Sequence, residues 1–239
     1  MSSLRIASPI TYNYQFSLND GREIFFEIRL DPNTLEFIPS SDFQPPEWTK
    51  IDFYPCEGCP LLDKVQRCPV AVNLSRIIEP FKHTVSHTPA VVKVETESRV
   101  YSKETTVQNG LSSIIGICMV TSNCPVMDEL RPLTRYHLPF ATPEETLFRV
   151  ASYYLLRQFF IAKDGGTPDW NLSGLIEIYK KISAVNVGIS RRISQASESD
   201  ANVNAVIILH SYGESIPFFV ENELDEIRYL FEQFLKDRK

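Results

Sequence analysis

The sequence lacks an excess of positive charge. Its 24 Lys and Arg are outnumbered by 30 Asp and Glu, for a formal net charge of -6. Nucleic acid is gripped mainly by a basic face that neutralises phosphates, so no nucleic-acid role is expected. The densest basic spots, Arg191-Arg192 and Lys180-Lys181, read as a solvated helix face. Long apolar runs are also missing. The longest is Ala205 to Leu209, far short of the roughly 20 residues that cross a bilayer, so no membrane association is expected. Met1 to Tyr14 holds no run of signal-peptide length. A soluble, cytoplasmic and reducing setting is therefore expected, with cysteines present as thiols or metal ligands. Neither Gly-x-Gly-x-x-Gly nor Gly-x-x-x-x-Gly-Lys-Ser/Thr occurs, and Gly165-Gly166 is not a phosphate loop. Gly-x-Ser-x-Gly, His-Glu-x-x-His and internal repeats are absent too. Whether the chain is an enzyme stays open at this level.

What is present is an ordinary globular composition, 43% hydrophobic and 23% charged over 239 residues. That length buries a core without disulfides or metal. The expected fold class is α+β: an N-terminal antiparallel β-meander (1–50), a cysteine-containing α/β region (51–141) and a C-terminal helical bundle (142–239). Tyr12, Tyr14, Phe16 and Leu18 alternate with polar residues, as do Ile24, Phe26, Ile28 and Leu30. Period two marks half-buried strands, and Asn19-Asp20-Gly21 between them is a hairpin turn. Asp31-Pro32-Asn33-Thr34 predicts a second turn and Leu35 to Ile38 a short third strand. The Pro-rich stretch 39–50 reads as a linker.

A short helix is predicted over Val72 to Phe81, β structure over 90–107, and a buried helix over Leu111 to Val120. Thr142-Pro143-Glu144-Glu145 is a capping box with proline at the first helical position. Gly165-Gly166 and Pro168 end the helix it opens. Leu172, Leu175, Tyr179, Ile182, Val185, Ile189 and Ile193 predict the next. Asp200 is read as the N-cap of a short buried helix ending at Leu209. Val220, Leu224, Ile227, Phe231 and Phe234 predict a last helix. Its stripe would pack on its neighbours or supply a surface for a homo-oligomer or protein partner.

The distinctive chemistry lies in the five cysteines. Cys56-Glu57-Gly58-Cys59 is a Cys-x-x-Cys; Cys68 follows, and Cys118 and Cys124 come later. Proline directly follows Cys59, Cys68 and Cys124. Two thiolates at i and i+3 of a turn can grip one ion, and Gly58 permits the tight backbone. Cys68, with Cys124 or His137, would complete a tetrahedral set. Zinc fits such ligands, with an iron–sulfur cluster as the alternative. The spacing leaves two other readings open: inert buried thiols and a redox pair. Cys118, among Ile114, Ile115, Ile117, Met119 and Val120, reads as core.

His137 sits in the segment Arg131 to Phe140, ahead of Glu144 and Glu145. A histidine there could serve as base or ligand, or pair with Cys124, although its apolar neighbours also fit a packed, hydrogen-bonded residue. Asp200, Asn202 and Asn204 do not form a cation loop.

Several of these segments resemble a family of functionally uncharacterised bacterial proteins. The likeness rests on Cys56-x-x-Cys59-Pro60-Leu61, Cys68-Pro69-Val70-Ala71-Val72-Asn73-Leu74, Asn123-Cys124-Pro125, and His137-Leu138-Pro139-Phe140 leading into Glu144-Glu145-Thr146. Asp200 to Ala205 adds to it. The resemblance implies a bacterial source and no particular activity.

Overall fold

A computed structural model describes residues 8–39, 43–222 and 224–236. Residues 40–42 of the expected linker, and the first seven residues, lie outside that range.

The alternating segments form strands. β1 (Ile10–Leu18) and β2 (Glu23–Leu30) pair antiparallel, with Ile10 opposite Leu30 and Ser17 opposite Glu23. Gly21 takes φ +88° at the turn, and Asp20 Oδ1 accepts the Arg22 amide. β3 (Pro89–Glu95) pairs antiparallel with the other side of β1, and β4 (Val100–Thr106) with β3. The sheet order is β2-β1-β3-β4. β1 thus ties the first fifty residues to the middle of the chain through a shared hydrogen-bond ladder.

The expected strand over Leu35–Ile38 does not form. An isolated bridge joins Phe37 to Leu30, Leu35 bends the backbone at φ +60°, and Phe37 N–H donates to Thr121 O instead.

One sheet face carries the core. Tyr12, Tyr14, Phe16, Leu18, Ile28, Leu30, Val92 and Val94 are buried there, while Phe25, Val91 and Val100 are exposed. The helices α1 (Pro69–Ile78) and α2 (Val107–Val120) supply Leu74, Ile77, Leu111, Ile114 and Ile115 to the core. Gly110 lets α2 approach closely, since a Cβ there would come 2.7 Å from both Phe16 and Val92.

The chain divides into two compact units. The first takes residues up to Phe140 and then Ala184–His210; the second takes Ala141–Ser183 and residues from Ser211. These lines differ from the three consecutive segments read from sequence, because the long helices α4 (Ser173–Ala196) and α5 (Ala201–Glu221) each contribute to both units.

In the second unit, α3 (Pro143–Lys163) opens with the anticipated capping box. Thr142 Oγ1 accepts from Glu145 N–H, and Glu145 Oε2 accepts from Thr142 N–H. Leu147, Val150, Ala151 and Tyr154 of α3 are buried, as are Leu175, Tyr179 and Ile182 of α4. Asp169 organises the connection between them. Its carboxylate accepts from Tyr154 Oη at 2.8 Å and Gly174 N–H at 2.7 Å, and its own amide donates to the buried Gln158.

Two helical expectations change. α5 does not stop at Leu209 but continues through Pro217 to Glu221. It has the length and mean hydropathy, 1.2, of a membrane span. Ala201, Ala205, Val206, Ile216 and Val220 along it are nonetheless buried in the protein. Asp200 binds Ser86 through both the backbone N–H and the hydroxyl. The single last helix is instead broken. Leu224 takes φ +58°, and short helices α6 (Asp225–Arg228) and α7 (Glu232–Leu235) follow. Of the predicted stripe, Ile227 is buried, whereas Phe231 and Phe234 are exposed.

Candidate metal centre

The Cys56–Cys59 segment sits in a loop, 52–66, that contains no helix or strand. Its neck is a short antiparallel bridge between Lys50 and Arg67. Ile51 N–H donates to Gln66 O at 3.0 Å, and Cys68 N–H donates to Thr49 O at 2.8 Å. Within the loop, Phe53, Cys56, Cys59 and Leu61 are partly buried and the rest are exposed. Cys59 N–H donates to Cys56 O, closing a tight turn with Gly58 at φ +64°. That is the turn expected from the glycine, which alone adopts this conformation without strain.

Cys68 caps α1, with Pro69 at the first helical position. Cys124 precedes Pro125 and the 3-10 helix over Met127–Tyr136. Cys68 and Cys124 are buried, and Cys56 and Cys59 are half-buried. All five cysteines are free thiols.

Four of them form one electrostatic group. Burial pushes the Cys56 thiol up to about 12, and the neighbouring Cys68, Cys59 and Cys124 add to that rise. Cys68 is raised by burial and by Cys59, against the opposing amides of Ala71 and Val70 and the charge of Arg192. Those amides make no cap hydrogen bond to the sulfur, but their dipoles favour its thiolate. Cys124 is raised by burial and by Cys68 and Cys59, against the amides of Met127 and Val126. Cys56 is thus the thiol on which the other three all act. Cys118 stands apart: it is fully buried on α2, and burial alone raises it to about 12.

His137 is engaged by different groups. Its Nε2 lies 2.6 Å from Tyr14 Oη and 3.4 Å from Ser113 Oγ, and its ring meets Tyr12 edge-on. These contacts tie the end of the 3-10 helix to β1 and α2. Burial raises the pKa of Tyr14, which keeps it a neutral hydroxyl suited to that role.

Two residues that sequence reading missed frame the quartet. Gly188 of α4 faces Cys56; a Cβ there would come 2.5 Å from Cys56 Sγ and 2.9 Å from its Cα. Arg192, read as solvated, is 1% exposed. Its guanidinium donates to Trp48 O at 2.8 Å, Lys50 O at 2.5 Å and Ile51 O at 3.3 Å, the neck of the cysteine loop. Its Nε has no partner, and among the described residues no carboxylate lies within ion-pair reach of it. A signal for both existed. Arg192 stands three positions after Ile189 and seven after Val185, on the apolar stripe of the helix, and Gly188 adjoins that stripe.

Among the described residues, no three His, Cys, Asp or Glu side chains converge closely enough to grip a single ion.

An α+β protein with a cysteine-bearing loop whose neck is held by a buried arginine is what fold and site define. The chain belongs to the family described as a domain of unknown function (DUF6901), whose model matches residues 10–232. No curated protein and no solved structure matches it.

Proposed function

We propose that Cys56, Cys59, Cys68 and Cys124 ligate a metal centre, and that the protein is a non-enzymatic binding or regulatory protein whose cysteine loop is ordered by that metal. The observation that carries this reading is that Cys59, Cys68 and Cys124, from three separate segments, all lie near enough to Cys56 to raise its thiol. Hydrophobic burial accounts for single cysteines such as Cys118. It gives no reason to place two half-buried cysteines on a loop with so little core of its own. The ligand set leaves out His137, which is held by Tyr14 and Ser113.

Metal analysis of protein purified without oxygen or chelators tests the reading. One centre per chain is expected, lost when Cys56 or Cys59 is replaced by serine, together with a fall in stability, because structural metal contributes folding free energy directly. Metal-free wild type whose serine variants are equally stable would sink it.

A further inference from the structure

We infer that the protein forms a homodimer through the outward face of α3, packed antiparallel against the same face of a second copy. The surface belongs wholly to the second unit and involves none of the cysteines.

The sequence of α3 carries two apolar faces. Leu147, Val150, Ala151 and Tyr154 are buried on one of them. Glu145, Phe148, Ser152, Leu156, Phe159 and Lys163 follow one another at steps of three and four, so they form a single stripe down the other. All six are exposed. A surface helix normally keeps that side polar. Here its middle is apolar, and the exposed Phe160 widens it. The C-terminal turns enlarge the patch: the Phe231 ring stacks on Phe148, Tyr229 Oη donates to Glu144, and Phe234 one turn on is 63% exposed.

The area suits a stable pair. An aromatic side chain carries about 150–250 Å² of surface, so these six rings and Leu156, each about half exposed, leave roughly 700 Å² in water. Monomers rarely leave an apolar patch larger than about 300–600 Å² uncovered. One partner in a standard interface contributes about 800 Å².

The stripe is complementary to itself when turned end for end. Glu145 and Lys163 mark its two ends, about 27 Å apart along the axis. A two-fold axis crossing midway sets Glu145 of one copy opposite Lys163 of the other, and symmetry repeats the pair. The same register sets Phe148 opposite Phe159 and Phe160, and Ser152 opposite Leu156. Small against large lets the two helices interdigitate. The helix dipoles then run in opposite directions, which favours the pair. A parallel pairing would instead set Lys163 on Lys163 and Glu145 on Glu145. An unrelated partner gives no reason for this internal match, and a net charge of -6 opposes an anionic lipid surface as the occupant.

Sedimentation equilibrium on the full chain at micromolar concentration tests the dimer. Twice the chain mass is expected for wild type. Leu156→Glu, which alters only an exposed side chain of the single copy, should raise the dimer dissociation constant at least about 100-fold with unchanged circular dichroism, because its charge would be buried unpaired. Phe159→Glu should do the same and decides the matter should the first variant not fold. Lys163→Glu and Glu145→Lys should each weaken their own homodimer about tenfold, while an equal mixture of the two pairs as tightly as wild type, since opposite charges then meet at both ends. A monomeric wild type, whether or not it binds neutral lipid vesicles or another protein, would overturn the dimer. A dimer indifferent to both glutamate variants would overturn this face, and a mixture no tighter than its components would overturn the antiparallel register.

Discussion

Gly188 lies within α4, a place where alanine normally strengthens a helix by about 1 kcal/mol. Here that gain is outweighed. The new methyl would meet Cys56 Sγ at 2.5 Å and the Cys56 backbone at 2.9 Å, and overpacking of this kind costs about 1–3 kcal/mol. Backbone cannot swing aside as a side-chain tip can, so the whole Cys56–Cys59 turn must move. Gly188→Ala is therefore expected to lower the denaturation midpoint and reduce bound metal per chain. Chemical denaturation and metal analysis on the same sample check it; full metal content at raised stability would show that the turn does not depend on Gly188. Arg192 teaches a related lesson. Its residue type says surface and its position says core, and its position prevails because three backbone carbonyls are there to receive it.

At the scale of elements, the connection between α3 and α4 hangs on Asp169. Partial burial pushes its carboxyl up, but the Gly174 amide, the Tyr154 hydroxyl and Ser173 outweigh that and hold its pKa below the usual carboxylate range. A depressed folded-state pKa means stabilisation that is present above the unfolded value of about 3.9 and lost as pH falls through the folded one. Asp169→Asn should thus cost about 1 kcal/mol at neutral pH. The gap from wild type should close in acid. Urea titrations of both chains at pH 7 and pH 3 read this directly, and a gap independent of pH would refute the role of the charge.

Such elements differ in how far the sequence betrays them. The β1–β2 hairpin and the Thr142 capping box were legible because alternation and capping are local. That β1 also pairs with β3 was not, since alternation names the buried face of a strand and not its neighbour. The end of α5 was hidden because His210, Ser211 and Gly213 dilute its apolar pattern after Leu209, while the helix continues past them. The four thiols could be nominated from spacing and prolines, but whether they share a ligand depends on three distant segments, which spacing does not describe. His137, nominated beside them, hydrogen-bonds with Tyr14, a partner 123 positions away in sequence.

For the molecule as a whole, the question is what orders residues 52–66. The sheet with α1 and α2 has a contiguous apolar core and needs no metal. The loop has no secondary structure, and only Phe53, Cys56, Cys59 and Leu61 turn inward from it. A loop of this length with so few buried groups is held by its neck, by Arg192 and, on the proposed reading, by the metal. Removing the metal should therefore open the loop locally without unfolding the sheet. Lys64 is exposed within it, so trypsin is expected to cut there many times faster after anaerobic chelation, while the far-ultraviolet circular dichroism changes little. Re-adding zinc before the protease should restore protection. If the loop were ordered by its neck alone, the cleavage rate would be the same with and without metal, and the four cysteines would have to be explained by something other than a shared ligand.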